Sequence, residues 1–189
     1  MKNKILILLS VMFLISCKNN NEQSTVNSSN NESETTELKG QSGVVDEVSD
    51  PNALQLAESL DDFSSLVLAI KKAGVEDAVV NAGPLTIFAP TNEAFNKLPK
   101  GTVEELFKPE NNQKLANILT NHVAPANFPI EQLTKEAEKN RKLYMASGNY
   151  LDVTTKDGKI FVGGVEILKS VKVSNGWVHV IGSVIVPSE

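Results

Sequence analysis

Leu85-Thr86-Ile87-Phe88-Ala89-Pro90-Thr91-Asn92-Glu93-Ala94-Phe95 carries two structural instructions in succession. Its first five residues are apolar or β-branched, which predicts a short buried strand. Pro90 stops that strand, because proline has no N–H to donate to a ladder. Thr91 then offers a side-chain oxygen to cap a helix that runs through Phe95. Asn92 and Glu93 keep the first turn polar, and the Glu93 carboxylate suits the positive end of the helix dipole.

Outward from this stretch, the second half of the chain reads as strands. Asp157-Gly158, Gly163-Gly164 and Asn175-Gly176 are tight-turn dipeptides. Between them lie Lys159 to Val162, Val165 to Val173 and Trp177 to Ile181. Asn175 and Gly176 both tolerate the positive φ of a tight hairpin. Val165, Ile167, Val171 and Val173 alternate on one face, with Lys169 the exception, while Val178 and Val180 oppose Trp177, His179 and Ile181.

The first half reads helical. Leu56, Leu60, Phe63, Val67 and Ile70 recur at spacings of 4, 3, 4 and 3, one helical stripe. Asp61 or Asp62 is expected to restart that helix as a cap, and Gly74 to end it. Thr102 with Glu105 has the pattern of a capping box, and Leu115, Ile118 and Leu119 mark another short helix. Helices first and an antiparallel meander later predict an α+β domain over 51–189, N-terminal helices packed on an antiparallel β-rich wedge.

At these residues the chain resembles the fasciclin domain. Leu85 to Phe95 looks like the family's first motif, with Thr86, Pro90, Thr91, Asn92 and Phe95 in place. Asn175-Gly176-Trp177-Val178-His179-Val180-Ile181, through Val184-Ile185-Val186-Pro187, looks like its closing motif. Asn121-His122-Val123 falls where the family usually has a Tyr-His pair, so Asn121 replaces the usual Tyr, and Gly182 stands where Asp is frequent. The resemblance implies a compact α+β fold, a role in extracellular adhesion or matrix binding, and no general catalytic activity.

The N-terminus reads as an address. Lys2 and Lys4 precede Ile5 to Ile15, eleven residues with only Ser10 polar. That is too short for a spanning helix but suits a secretory signal over 1–16. Leu14-Ile15-Ser16-Cys17 resembles the lipobox of bacterial lipoproteins, in which Cys17 takes a diacylglycerol and, after cleavage, an acyl chain of the palmitate type. Each buried methylene contributes about 0.8 kcal/mol, so two or three chains anchor firmly. The alternative is a plain secretory signal with a chance cysteine. Lys18 to Gly40 holds six Asn, four Ser, three Thr and four Glu, which reads, with the segment to Asp50, as a disordered tether over 17–50. Such a tether reaches about 30–35 Å. The expected location is the bacterial cell envelope, on the outer membrane, facing the periplasm or the surface. No acidic cluster follows Cys17 to decide which face.

Composition narrows the function classes. Eighteen basic against 23 acidic side chains give a net charge of −5, and loss of Lys2 and Lys4 takes it to −7. That argues against a nucleic-acid partner, since phosphate neutralisation needs clustered Lys and Arg. One Cys excludes an intramolecular disulfide. His122 and His179 lie 57 residues apart without a local ligand cluster, so structural imidazoles are expected and no metal or cofactor is called for. Asp61-Asp62 and Glu104-Glu105 point about 100° apart on a helix and form no acid–base pair by themselves. Phe128, in a Pro-punctuated loop, and Arg141, in a mixed-charge run, are the candidate partner contacts. The reading is a non-enzymatic, lipid-anchored adhesion module for a protein or polysaccharide partner. The alternative is an envelope hydrolase acting on glycans with two carboxylates brought together by the fold.

Overall fold

The structure, a computed structural model, describes residues 50–81 and 83–187. The predicted signal peptide, Cys17 and all but the end of the tether lie outside the described residues.

Helix α1 (Ala53–Glu58) opens on a capping box: Gln55 N–H donates to Asn52 Oδ1 and Asn52 N–H to Gln55 Oε1, both at 2.9 Å. A 3-10 turn, Asp61–Phe63, leads into α2 (Ser64–Ala73), which stops at Gly74 with φ 66°. The expected single stripe is therefore broken. Leu60 is 44% exposed at the break, and α2 buries Leu66, Ala69 and Ile70. Asp61 and Asp62 sit inside the 3-10 turn and cap nothing in α2. The Ser65 N–H is met instead from a distance, by Asn92 Oδ1 at 2.9 Å.

After α3 (Glu76–Val80) comes β1 (Leu85–Pro90), with all six residues buried. Thr91 Oγ1 accepts from the Ala94 N–H at 3.3 Å and caps α4 (Asn92–Asn96). Helix α5 (Thr102–Leu106) is capped by Gly101 in the left-handed region. Thr102 is thus the first helical residue rather than the cap, and the expected Thr102–Glu105 capping box does not form. Then follow α6 (Asn112–Thr120), β2 (Val123–Ala124) and α7 (Ile130–Glu138). The chain closes with β3 (Lys142–Tyr144), β4 (Tyr150–Lys156), β5 (Lys159–Val162), β6 (Val165–Val173) and β7 (Gly176–Ile181).

These strands form a sheet in the order β2-β1-β7-β6-β5-β4-β3. The meander is antiparallel as expected, but β1 and β7 pair in parallel, from Leu85 opposite Gly176 to Pro90 opposite Ile181. The sheet is therefore mixed. Both its faces are covered here, which is where parallel pairs are found and why β1 reads as a continuous apolar run. One core lies under α1, α2 and α6, against Leu85, Ile87, Ala89, Val173 and Val178. The other lies under α7, against Phe88, Val153, Val162 and Ile181.

Strand β6 serves both cores. Ile167 opposes Ile181 while Lys169 opposes Val180, leaving Leu168 as an extra, 57% exposed residue. This bulge exchanges the faces of the strand. Val165 and Ile167 pack on the second core, whereas Lys169 and Val171 join Val178 and Val180 on the first-core side. The expected uniform face along β6 is accordingly divided.

The β6–β7 hairpin also departs from expectation. Val173 pairs with Gly176, so Ser174 and Asn175 make the turn, and only Gly176 of the dipeptide has positive φ, at 144°. A Cβ on Gly176 would stand 1.8 Å from the Leu85 carbonyl oxygen. Gly176 is needed for the close approach of β1, and Asn175 for its side chain.

Candidate functional site

The polar residues of the two motifs act as clips between distant segments. Thr86, fully buried, donates from Oγ1 to the Ala126 carbonyl at 2.8 Å and accepts from the Phe128 N–H at 2.9 Å. Asn92 Nδ2 donates to the Asp61 carbonyl at 2.8 Å and to Ser64 Oγ at 3.0 Å, in addition to its bond with Ser65. Asn175 Oδ1 accepts from the Ala53 N–H at 3.1 Å, and its Nδ2 donates to the Val79 carbonyl at 2.9 Å. One side chain therefore ties the start of α1, the end of α3 and the hairpin.

Both imidazoles have their ring nitrogens committed. His122 Nδ1 lies 2.8 Å from the Ile118 carbonyl, and its Nε2 accepts from the Ile185 N–H at 2.9 Å. That pair of partners fixes the neutral ring with its proton on Nδ1. Burial pushes the His122 pKa down to about 4, with the Ile118 bond opposing. His179 Nε2 lies 2.8 Å from the Phe128 carbonyl and its Nδ1 2.7 Å from Ser170 Oγ, which fixes the opposite tautomer. Burial also lowers its pKa, again against a carbonyl bond. The ring stacks at 5.5 Å on Phe88 and at 6.4 Å on Trp177.

Thr86 and His179 thus hold both backbone groups of Phe128. Its side chain is half-buried and packs on the second core. Arg141 is 61% exposed in its side chain and lies 3.8 Å from Glu136, a buried carboxylate that also accepts from Gln132. Phe128 and Arg141 flank opposite ends of α7, which is about 13 Å long. The fold does not bring them together. Phe95 is a first-core residue, and Pro187 lines a shallow pocket beside Asn121 and Tyr150.

At the two departures from the motif pattern, the chain makes its own arrangements. Asn121 Oδ1 accepts from Ser147 Oγ at 2.9 Å and from Asn149 Nδ2 at 3.2 Å, while its buried Nδ2 has no partner among the described residues. At Gly182 the backbone carbonyl takes Lys97 Nζ at 2.6 Å.

The carboxylate pairs stand at exposed helix starts, Asp61 and Asp62 in the 3-10 turn and Glu104 and Glu105 in α5. Lys108 beside Glu105 holds that carboxyl below its ordinary range. No group of three or more His, Cys, Asp or Glu able to hold a metal is found among the described residues. Sequence reading missed two features: an apolar cavity under α1 with Lys169 on its rim, and an exposed Tyr144–Tyr150 pair at 5.3 Å. The signal for the first was Lys169 itself, a cation in an apolar alternation. The second depends on β3 pairing with β4, which no motif marks.

A family model described as the fasciclin domain matches residues 61–187. Protein sll1483 of Synechocystis sp. is 40% identical over 160 residues, 82% of this chain and 84% of its own length. Transforming growth factor-beta-induced protein ig-h3 of Sus scrofa is 35% identical over 129 residues, 66% of this chain and only 18% of its own length. Human periostin is 28% identical over 134 residues, 69% of this chain and 15% of its own length. A solved domain pair from the insect cell adhesion molecule Fasciclin I shares the fold, with a TM-score of 0.65 and 19% identity, over 72% of this chain and 51% of that one. Motifs, topology and relatives agree: this chain belongs to the fasciclin domain family.

Proposed function

We propose that the chain is a lipid-anchored binding module of the bacterial cell envelope, adhering to a protein or glycan partner without chemistry. The observation that carries this reading is how the motif side chains are used. Thr86, Asn92, His122, Asn175 and His179 spend their hydrogen-bonding groups on the fold. A groove with a nucleophile beside a base would have favoured an enzyme. The match to the fasciclin domain supports adhesion, as does the fold shared with a cell adhesion molecule. Cys17 is the proposed lipid site, and the polar segment after it the tether. Among the described residues no helix is long and apolar enough to cross a membrane.

Phe128 and Arg141 are the proposed contacts. Because Phe128 also packs on a core, Arg141→Ala is the cleaner probe. Many tethered copies make later contacts intramolecular, so clustering raises avidity without new contacts. Bead-clustered domain is expected to retain cells, matrix or polysaccharide better than free domain, and Arg141→Ala to weaken retention at a temperature where circular dichroism shows it folded, its melting lowered by loss of the Glu136 partner. Turnover of a glycan by the purified chain would favour a hydrolase instead. The anchor has its own test. Cys17→Ser is expected to abolish metabolic labelling by fatty acid, and unchanged labelling would remove the lipoprotein assignment.

A further inference from the structure

Between α1, α2 and the first-core face of β1, β7 and β6 lies a cavity of about 220 Å³. Its walls are apolar: Leu54, Leu66, Ile87 and Val178 are all buried. A dry apolar cavity of roughly 150 Å³ already takes benzene. The rim has a different character. Leu60, 44% exposed, stands on it with Asp62 and Lys169, both also exposed.

Lys169 is the telling residue. The bulge at Leu168 sets it on the cavity side of β6, next to Val171. There its methylene stem can follow the apolar wall while the ammonium stays at the mouth. Among the described residues it joins no ion pair. The site therefore combines an apolar interior with an exposed cation at its opening.

We propose that this cavity binds a medium-chain fatty acid, its tail of about eight to ten carbons inside and its carboxylate against the Lys169 ammonium. Asp62 on the same rim limits the tolerated charge. It disfavours a dianionic phosphate head more than a carboxylate, and so selects a monoanion. This site lies apart from Arg141 and does not depend on the adhesion reading.

Calorimetric titration of the purified full chain with decanoate, kept below its micelle concentration, tests the proposal. Saturable one-to-one binding is expected, with decanol about two- to fivefold weaker, the worth of one surface ion pair, and decyltrimethylammonium weaker still. Lys169→Glu, an exposed change that leaves the core alone, is expected to reverse the order of decanoate and decyltrimethylammonium. Asp62→Asn is expected to tighten decanoate. Ala57→Leu, which narrows the cavity, is expected to weaken binding of all three without lowering the melting temperature. Absence of saturable decanoate binding would overturn the proposal. So would equal binding of the three head groups, or an order that Lys169→Glu leaves unchanged. Undiminished binding to folded Ala57→Leu would move the ligand elsewhere, to the surface or to another pocket. Should Ala57→Leu fail to fold, the two rim variants decide the matter alone.

Discussion

A buried neutral histidine makes stability depend on pH in a definite direction. His122 ionises near pH 4 in the folded chain and near 6.5 when unfolded. Between those values the unfolded state binds a proton that the folded state does not. The stabilisation is thus present above pH 6.5 and is lost as pH falls toward 4, about 3 kcal/mol in all. His179 shifts the same way. Urea unfolding at pH 7 and pH 4.5 is expected to show this loss, and His122→Asn to be less stable at pH 7 but to flatten the slope. An unchanged slope would assign the pH response to other groups. Gly176 is the other residue with a sharp consequence. A Cβ at 1.8 Å from the Leu85 carbonyl cannot be absorbed by side-chain motion, because the obstacle is backbone. Gly176→Ala is expected to cost about 3 kcal/mol or more, or to prevent folding, as read by denaturant midpoint.

At the scale of elements, the three strands that follow a turn dipeptide were legible in the sequence, whereas β4, which Asp157-Gly158 only closes, was not. The predicted limits of β5 and β6 coincide with those observed, and β7 begins one residue earlier. The Thr91 cap was legible for the same reason: it is a local device. Thr91→Ala is expected to destabilise by about 1 kcal/mol through loss of the bond to the Ala94 N–H, which a melting curve will register. What escaped reading was non-local. The parallel partner of β1 lies some ninety residues away, and the bulge in β6 exists only relative to β7. Asn175 is the turn residue it was read as, but its further role as a clip was hidden because its donor and acceptor partners stand 122 and 96 positions distant. Period alone could not tell that Thr102 follows a left-handed Gly101, which takes the cap position from it. The candidate site was legible only as residue types, since the roles of Thr86 and His179 appear when the fold delivers Phe128 between them.

For the whole molecule, two cores share one sheet and a set of polar clips ties its distant segments together. A fragment covering 51–189 is expected to melt at the same temperature with and without chelator, and with and without reductant. A large drop with chelator would give the imidazoles another role. The central claim is that the motif residues build the scaffold and the partner meets other groups. Asn92 tests it most directly, because it is partly exposed and also makes three of the clips. Retention by bead-clustered Asn92→Ala domain, measured in the cold where circular dichroism shows it folded, is the decisive measurement. The account predicts retention equal to the parent, with thermal stability lower by about 1–2 kcal/mol; a folded Asn92→Ala domain that retains nothing would contradict it, by placing the motif in the contact itself.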